Sequence, residues 1–233
     1  MWSGHMSKIS LVMCVLSLTF LILLPCSVKA SDVIDEVARI PSYRLEQAVL
    51  TIARAGLESA GKGDVRVQLE DLLDGFDEDI VKTLTSNSAG VFVTVVKENA
   101  VRACVGSIWA RCGSLADEIY ETAVMLATYD RRRAPISADE LEELQFAVSI
   151  VGRLQSVNPY SSWSPVDFGL FVRSGDKTGV ILPGEAKTHA KQLSWACSEA
   201  GISLSERFEA YRFQTVKLGC SLDLSLYRSI NSR

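Results

Sequence analysis

The 233-residue chain carries 24 Lys and Arg against 28 Asp and Glu, a formal net charge of −4, and is 48% hydrophobic. The acidic balance argues against a nucleic-acid partner, which asks for a basic face. The apolar content suffices for the core of one domain, or of one domain with a small lobe.

Residues 1–30 hold Lys8 and Lys29 and no Asp, Glu or Arg. Lys8 is followed by a weakly polar to apolar run from Ile9 to Leu24, then Pro25 and Ser27-Val28-Lys29-Ala30. That order is the layout of a secretory signal, with small residues at the −3 and −1 positions of a cut after Ala30. The reading gives a leader over 1–30 and a periplasmic or secreted domain over 31–233. Without Lys8 and Lys29 the domain has 22 basic and 28 acidic residues, a net charge of −6. A membrane anchor over residues 9–24 is the alternative; that run falls short of the ~18 apolar residues of a spanning helix. Lipidation at Cys26 ranks last, because Pro25 precedes it.

Four cysteines follow the cut, namely Cys104, Cys112, Cys197 and Cys220, and an oxidising compartment would allow up to two disulfides among them. No Cys-x-x-Cys pair occurs, and His189 is the only histidine after residue 30. A zinc ribbon, a thioredoxin-type motif and a His-rich metal site are excluded, and neither metal nor cofactor is expected.

In chain order, 32–39 reads as a polar lead-in. A helix is predicted over 43–57 from Leu45, Val49, Ile52 and Ala53, ended by Gly56 and Gly61-Lys62-Gly63. Gly56, Gly61 and Lys62 resemble a phosphate loop, but Gly63 stands where Ser or Thr would ligate magnesium. Residues 64–89 are acidic without clear period. Val91 to Val96 and Val101 to Ile108 read as strands joined by a Glu98-Asn99 turn. Ser114 to Asp117 has capping-box spacing before a helix to about Ala127, and Ser137 with Glu140 caps a shorter one. Phe146 to Val151 reads as a strand, and Phe168 to Arg173 with Thr178 to Leu182 as a hairpin. A helix from Lys187 to Ala200 closes at Gly201, Ser203 and Glu206 cap another short one, and Tyr211 to Leu218 is a last strand. The hairpins and intervening helices predict an α+β fold.

Arg102, Cys104 and Gly106 share one face of a regular strand. A nearby cation favours thiolate, and a glycine lets a ligand or another backbone come close. The plainer reading is a core cysteine. Asp130-Arg131-Arg132-Arg133 is an anion-binding loop, an ion-paired corner, or a solvated run near a helix C-terminus. His189 sits between Lys187 and Lys191 and reads as a surface side chain, whereas Trp109, Trp163 and Trp195 read as core or cleft wall.

From about Tyr43 to Leu218 the chain resembles the AMMECR family, named for the Alport syndrome, midface hypoplasia and elliptocytosis chromosomal region. The anchors are Gly90-Val91-Phe92-Val93-Thr94, Arg102-Ala103-Cys104-Val105-Gly106 for the family's Arg-Gly-Cys-Ile-Gly, and Asp130-Arg131-Arg132-Arg133 for its Asp-Pro-Arg-Phe. Val148-Ser149-Ile150, Gly169-Leu170-Phe171-Val172, Thr178 to Pro183 and Tyr211-Arg212-Phe213 follow in family order. The resemblance implies an α+β domain with a mixed or antiparallel sheet, flanking helices and a smaller lobe. It also implies association with Memo-like and, in prokaryotes, radical-SAM proteins. The latter work in a reducing cytosol, which an exported chain would leave. Ala103 replaces a family glycine, Arg131 and Arg133 replace its Pro and Phe, and Ala147 stands where a Glu often precedes the Val-Ser strand.

The leading expectation is an exported binding module with a cleft around Arg102, Cys104, Gly106, Asp130 and Arg132. Its ligand would be a small anion or an extended partner segment. The alternatives are an enzyme with Cys104 as nucleophile or redox centre assisted by Arg102, and a purely structural, partner-binding domain.

Overall fold

The computed structural model describes residues 32–60, 67–129 and 135–220. In chain order these form α1 (Val33–Val37), α2 (Ser42–Ala60), α3 (Leu69–Leu73), α4 (Glu78–Ser86), β1 (Val91–Lys97), β2 (Ala100–Gly106) and α5 (Leu115–Tyr129). A 3-10 turn (Ala138–Glu143), β3 (Gln145–Val151), β4 (Gln155–Ser156), β5 (Gly169–Ser174) and β6 (Lys177–Ile181) follow. The last elements are α6 (His189–Ala200), β7 (Glu209–Phe213) and β8 (Thr215–Gly219). The strands make two four-stranded sheets, ordered β2-β1-β3-β8 and β4-β7-β5-β6. Every pairing is antiparallel.

Strand alternation decides what lies between the layers. Val91, Val93 and Val95 put their side chains on one face of the first sheet, with Val148 and Ile150 beside them in register. That face packs on Leu45, Val49 and Ile52 of α2 and on Leu115, Ile119 and Ala123 of α5. In the second sheet Leu170, Val172 and Ile181 pack on Leu193, Ala196 and Cys197 of α6. The opposite faces meet in a third core of Ile108, Val151, Phe171, Leu182 and Phe213. The α+β layout with a smaller lobe is therefore the observed architecture.

Two covalent crossings join the sheets. β3 leads through Gly152, Arg153 and Leu154 to β4, and β7 leads through Gln214 alone to β8. The expected single strand from Tyr211 to Leu218 is thus two strands in different sheets. Gly152 N–H donates to Gln214 O (2.9 Å), tying the two crossings together. Asp32 fixes them further: its Oδ1 caps α1 at Ile34 N (3.4 Å) and its Oδ2 accepts from Arg153 N (2.9 Å). The polar lead-in is therefore a capped helix that braces the junction.

Other expectations change for local reasons. Gly56 does not stop α2; it lies inside the helix, where a Cβ would come within 2.5 Å of Tyr120 O, so its missing side chain lets α2 and α5 approach. Gly61, Lys62 and Gly63 lie outside the described residues. The acidic stretch 64–89 contains α3 and α4, whose Leu73, Ile80 and Leu84 are buried while their acids face solvent. Ser203 N–H does donate to Glu206 Oε1 (3.0 Å), but the segment makes a turn and no helix. The Glu98-Asn99 turn has positive φ at both residues (51° and 60°), the backbone that matches strand twist in a two-residue hairpin. Gly201 closes α6 in the left-handed region, as expected. Among the described residues no helix is long and apolar enough to cross a membrane.

Candidate functional site

β2 does not run as a regular strand past its centre. Val95 pairs with Ala103 and Val96 with Val101, so Arg102 is the extra residue of a bulge. Bulges re-aim side chains, and here the guanidinium reaches the 3-10 turn. Arg102 Nε lies 2.8 Å from Glu140 Oε2, Nη2 3.1 Å from Oε1, and Nη2 also donates to Pro135 O (3.2 Å). Both side chains are largely buried, and this two-pronged pairing pulls the Glu140 carboxyl down to about 2. The Ser137 N–H adds a bond to the same carboxylate (3.3 Å), completing the expected cap.

Cys104, half-buried, lies in one register row with Thr94, Ala147 and Gly219. Thr94 Oγ1 is 3.1 Å from its sulfur. Ala147, where the family pattern often has Glu, is therefore a register neighbour of Thr94 and two strands from the thiol. Gly106 pairs with Phe92, and a Cβ there would overlap the Phe92 ring and the Val91 carbonyl. Its backbone is approached by another strand. Asp130 and Arg132 lie outside the described residues.

Beyond Gly106 the chain enters a loop, residues 107–114, organised by a buried carboxylate. The Glu118 side chain, 0% exposed, accepts from Arg111 N (2.7 Å) and Cys112 N (2.8 Å) through Oε2. Its Oε1 takes Arg111 Nε (2.9 Å) and Nη2 (2.7 Å), and Nη2 also reaches Thr122 Oγ1 (2.7 Å). Burial opposes the charge, but the Arg111 and Cys112 N–H groups and the guanidinium outweigh it and hold the carboxyl below its usual value. Its place in the first turn of α5 adds the favourable helix dipole. The same loop is tied to the segment after α4, with Ser88 Oγ on Cys112 O (3.0 Å) and Leu115 N on Asn87 O (2.7 Å).

The consequence is a fixed, half-exposed Trp109 (54% exposed), edge-on to Phe171 with centroids 6.0 Å apart. It walls a cleft of about 640 Å³ at the sheet junction. One side is Asn87 to Gly90 with Ile108 and Trp109; the other is Val151 to Leu154 with Tyr211. Arg153 is exposed at this cleft. Arg102, Cys104 and Gly106 are not among its lining residues. Trp109 as cleft wall was legible in the sequence; Glu118 was not, because Arg111 and Glu118 are seven residues apart across a non-helical loop and leave no periodic signature.

The remaining candidates settle into packing roles. His189 is half-buried rather than fully exposed: its ring stands edge-on to Trp163 at 4.1 Å, its Nε2 is buried, and burial lowers its pKa. Trp163 is held by Nε1 to Gln192 Oε1 (3.0 Å). The four described cysteines form no disulfide with one another. Burial, aided by Glu118, pushes the Cys112 thiol up to about 11, and burial also raises Cys197 and Cys220.

The AMMECR1 family model matches residues 50–218, and the chain belongs to that family. A Thermotoga maritima protein is 34% identical over 141 residues, which is 59% of this chain and 81% of that protein. A Methanothermobacter thermautotrophicus protein is 28% identical over 186 residues, 72% of this chain and 90% of that one. The crystal structure of the uncharacterized protein PH0010 from Pyrococcus horikoshii shares the fold, with a TM-score of 0.65 over 79% of this chain and 95% of that chain at 20% identity.

The Glu118 cluster makes a measurable prediction. Glu118→Ala should lower unfolding free energy in urea by about 3–5 kcal/mol, because Arg111 and two loop N–H groups lose their acceptor. Exposed Glu142→Ala should stay within about 0.5 kcal/mol. Since the folded-state pKa of Glu118 is depressed, its contribution is complete above the unfolded value near 4.5 and fades as pH falls through the folded value. The stability gap between wild type and Glu118→Gln should therefore narrow below pH 4.5; a gap that widens there contradicts the assignment.

Proposed function

We propose that this AMMECR1-family domain is a binding module. Its cleft between the sheets would receive an apolar or aromatic group of a small ligand or of an extended partner segment. The observation that carries the reading is Trp109: a large ring, 54% exposed, on a loop fixed by a buried carboxylate. A rigid exposed aromatic offers much contact area at low entropic cost, and Trp is enriched among binding hot spots. Arg153 also lines this cleft. Arg102, committed to Glu140, acts in this reading as a lock on the 3-10 turn rather than as a ligand arm.

The enzyme alternative finds less support around Cys104. Its register row supplies Thr94, Ala147 and Gly219, so the thiol is the one titratable group in that row. Peptides selected from a displayed library test the binding reading. They should shift the tryptophan fluorescence of the wild type and bind Trp109→Ala at least about tenfold more weakly. Equal binding to both would overturn the cleft as the site.

We also read residues 1–30 as an export signal, from the basic Lys8, the apolar run and the small residues before Ser31. Intact mass of secreted or periplasmic material should begin at Ser31. A mass that retains residues 1–30 would replace cleavage with anchorage.

A further inference from the structure

A second groove lies between α3, α4 and the first turn of α5, with a volume of about 730 Å³ and no lining residue in common with the cleft beside Trp109. Its apolar lining comes from Leu69, Leu73, Phe76 and Val81. Of these Leu73 is buried, while the other three are half-buried, so part of their apolar surface remains in contact with water. Burying such surface is the general driving force for association.

Among the described residues, the charged ones that line this groove are all acidic. Glu70, Asp74 and Glu78 line it and are exposed. Their side chains form no hydrogen bond or ion pair with the described residues, whereas the neighbouring Asp77 and Asp79 are both taken by Arg44, the latter at 3.1 Å. Among the described residues no group of three acidic, Cys or His side chains is close enough together to hold a metal ion. The acids are therefore spread along a groove rather than gathered for chelation. Spread carboxylates beside an apolar floor complement an extended segment that carries apolar side chains flanked by Lys or Arg, and such complementarity sets partner choice and association rate.

We propose that this groove docks a basic, apolar-anchored segment of a partner protein. The apolar side chains of that segment lie on Leu69, Phe76 and Val81, and its cations face Glu70, Asp74 and Glu78. The groove is independent of the cleft beside Trp109, so the two readings stand or fall separately.

The test is fluorescence anisotropy of the full chain with a labelled amphipathic peptide of lysine, leucine and phenylalanine, beside the same peptide with every lysine replaced by glutamate. The wild type should bind the basic peptide, discriminate against the acidic one and lose affinity as salt rises. Glu70→Lys/Asp74→Lys/Glu78→Lys should weaken binding by at least about tenfold, and Asp74→Lys alone by a smaller factor in the same direction, with unchanged circular dichroism. Reversal of remote exposed acids, Glu98→Lys/Asp167→Lys/Asp176→Lys, should leave it unaltered. Trp109→Ala should bind the basic peptide like the wild type. Equal loss from both sets of reversals would reduce the effect to general acidity and overturn the proposal. Loss in Trp109→Ala would move the peptide to the other cleft, and concentration-dependent self-association abolished by Asp74→Lys would make the occupant a second copy; either result overturns it.

Discussion

A single carboxylate, that of Glu118, determines how the junction between the two sheets is built. A buried charge without partners would be expelled or neutralised. Glu118 avoids this by accepting from two consecutive loop N–H groups and from a guanidinium, at the start of a helix whose dipole favours negative charge. Those bonds are also what the loop needs. Residues 107–114 contain no strand or helix, and their N–H groups must find acceptors elsewhere. One side chain thus replaces the ladder that the loop lacks.

From that constraint the junction follows. The loop's ties to Asn87 and Ser88 fix the segment before β1, and Val151 N–H donates to Gly90 O (2.9 Å), joining that segment to the end of β3. Immediately beyond, the chain crosses to the second sheet, braced by Asp32 on Arg153 N. The third core of Ile108, Val151, Phe171, Leu182 and Phe213 then closes over the crossing. Trp109, next to Ile108, is left partly outside that core with its edge against Phe171. An exposed aromatic here is a consequence of the loop's geometry, and in the proposed binding reading it would need no loop ordering at the moment of binding.

Much of this fold was legible because it rests on local rules. The hairpin at Glu98-Asn99, the cap at Ser114, the C-cap at Gly201 and the short β-branched and aromatic runs of β1, β3 and β5 each have a short-range signature. What escaped the sequence depends on long-range geometry. Tyr211 to Leu218 reads as one strand, and only the two-sheet arrangement breaks it at Gln214. Gly56 reads as a helix stop until α5 is packed against it. α3 and α4 are short and acid-rich, with their apolar positions too few to establish a period. At the site, the face shared by Arg102, Cys104 and Gly106 assumes an unbroken strand, and the bulge at Arg102 redirects that side chain to Glu140. No spacing rule announces a bulge, nor the pairing of Arg111 with Glu118 across an irregular loop.

The central claim is that Glu118 holds the loop rigidly through the amides of residues 111 and 112. Amide hydrogen exchange near neutral pH examines those two bonds directly. If the carboxylate accepts both, the N–H groups of Arg111 and Cys112 should exchange far more slowly than that of Gly113 in the same loop, and Glu118→Ala should release both together. Exchange of Arg111 and Cys112 at the rate of an open loop in the wild-type protein would contradict the account.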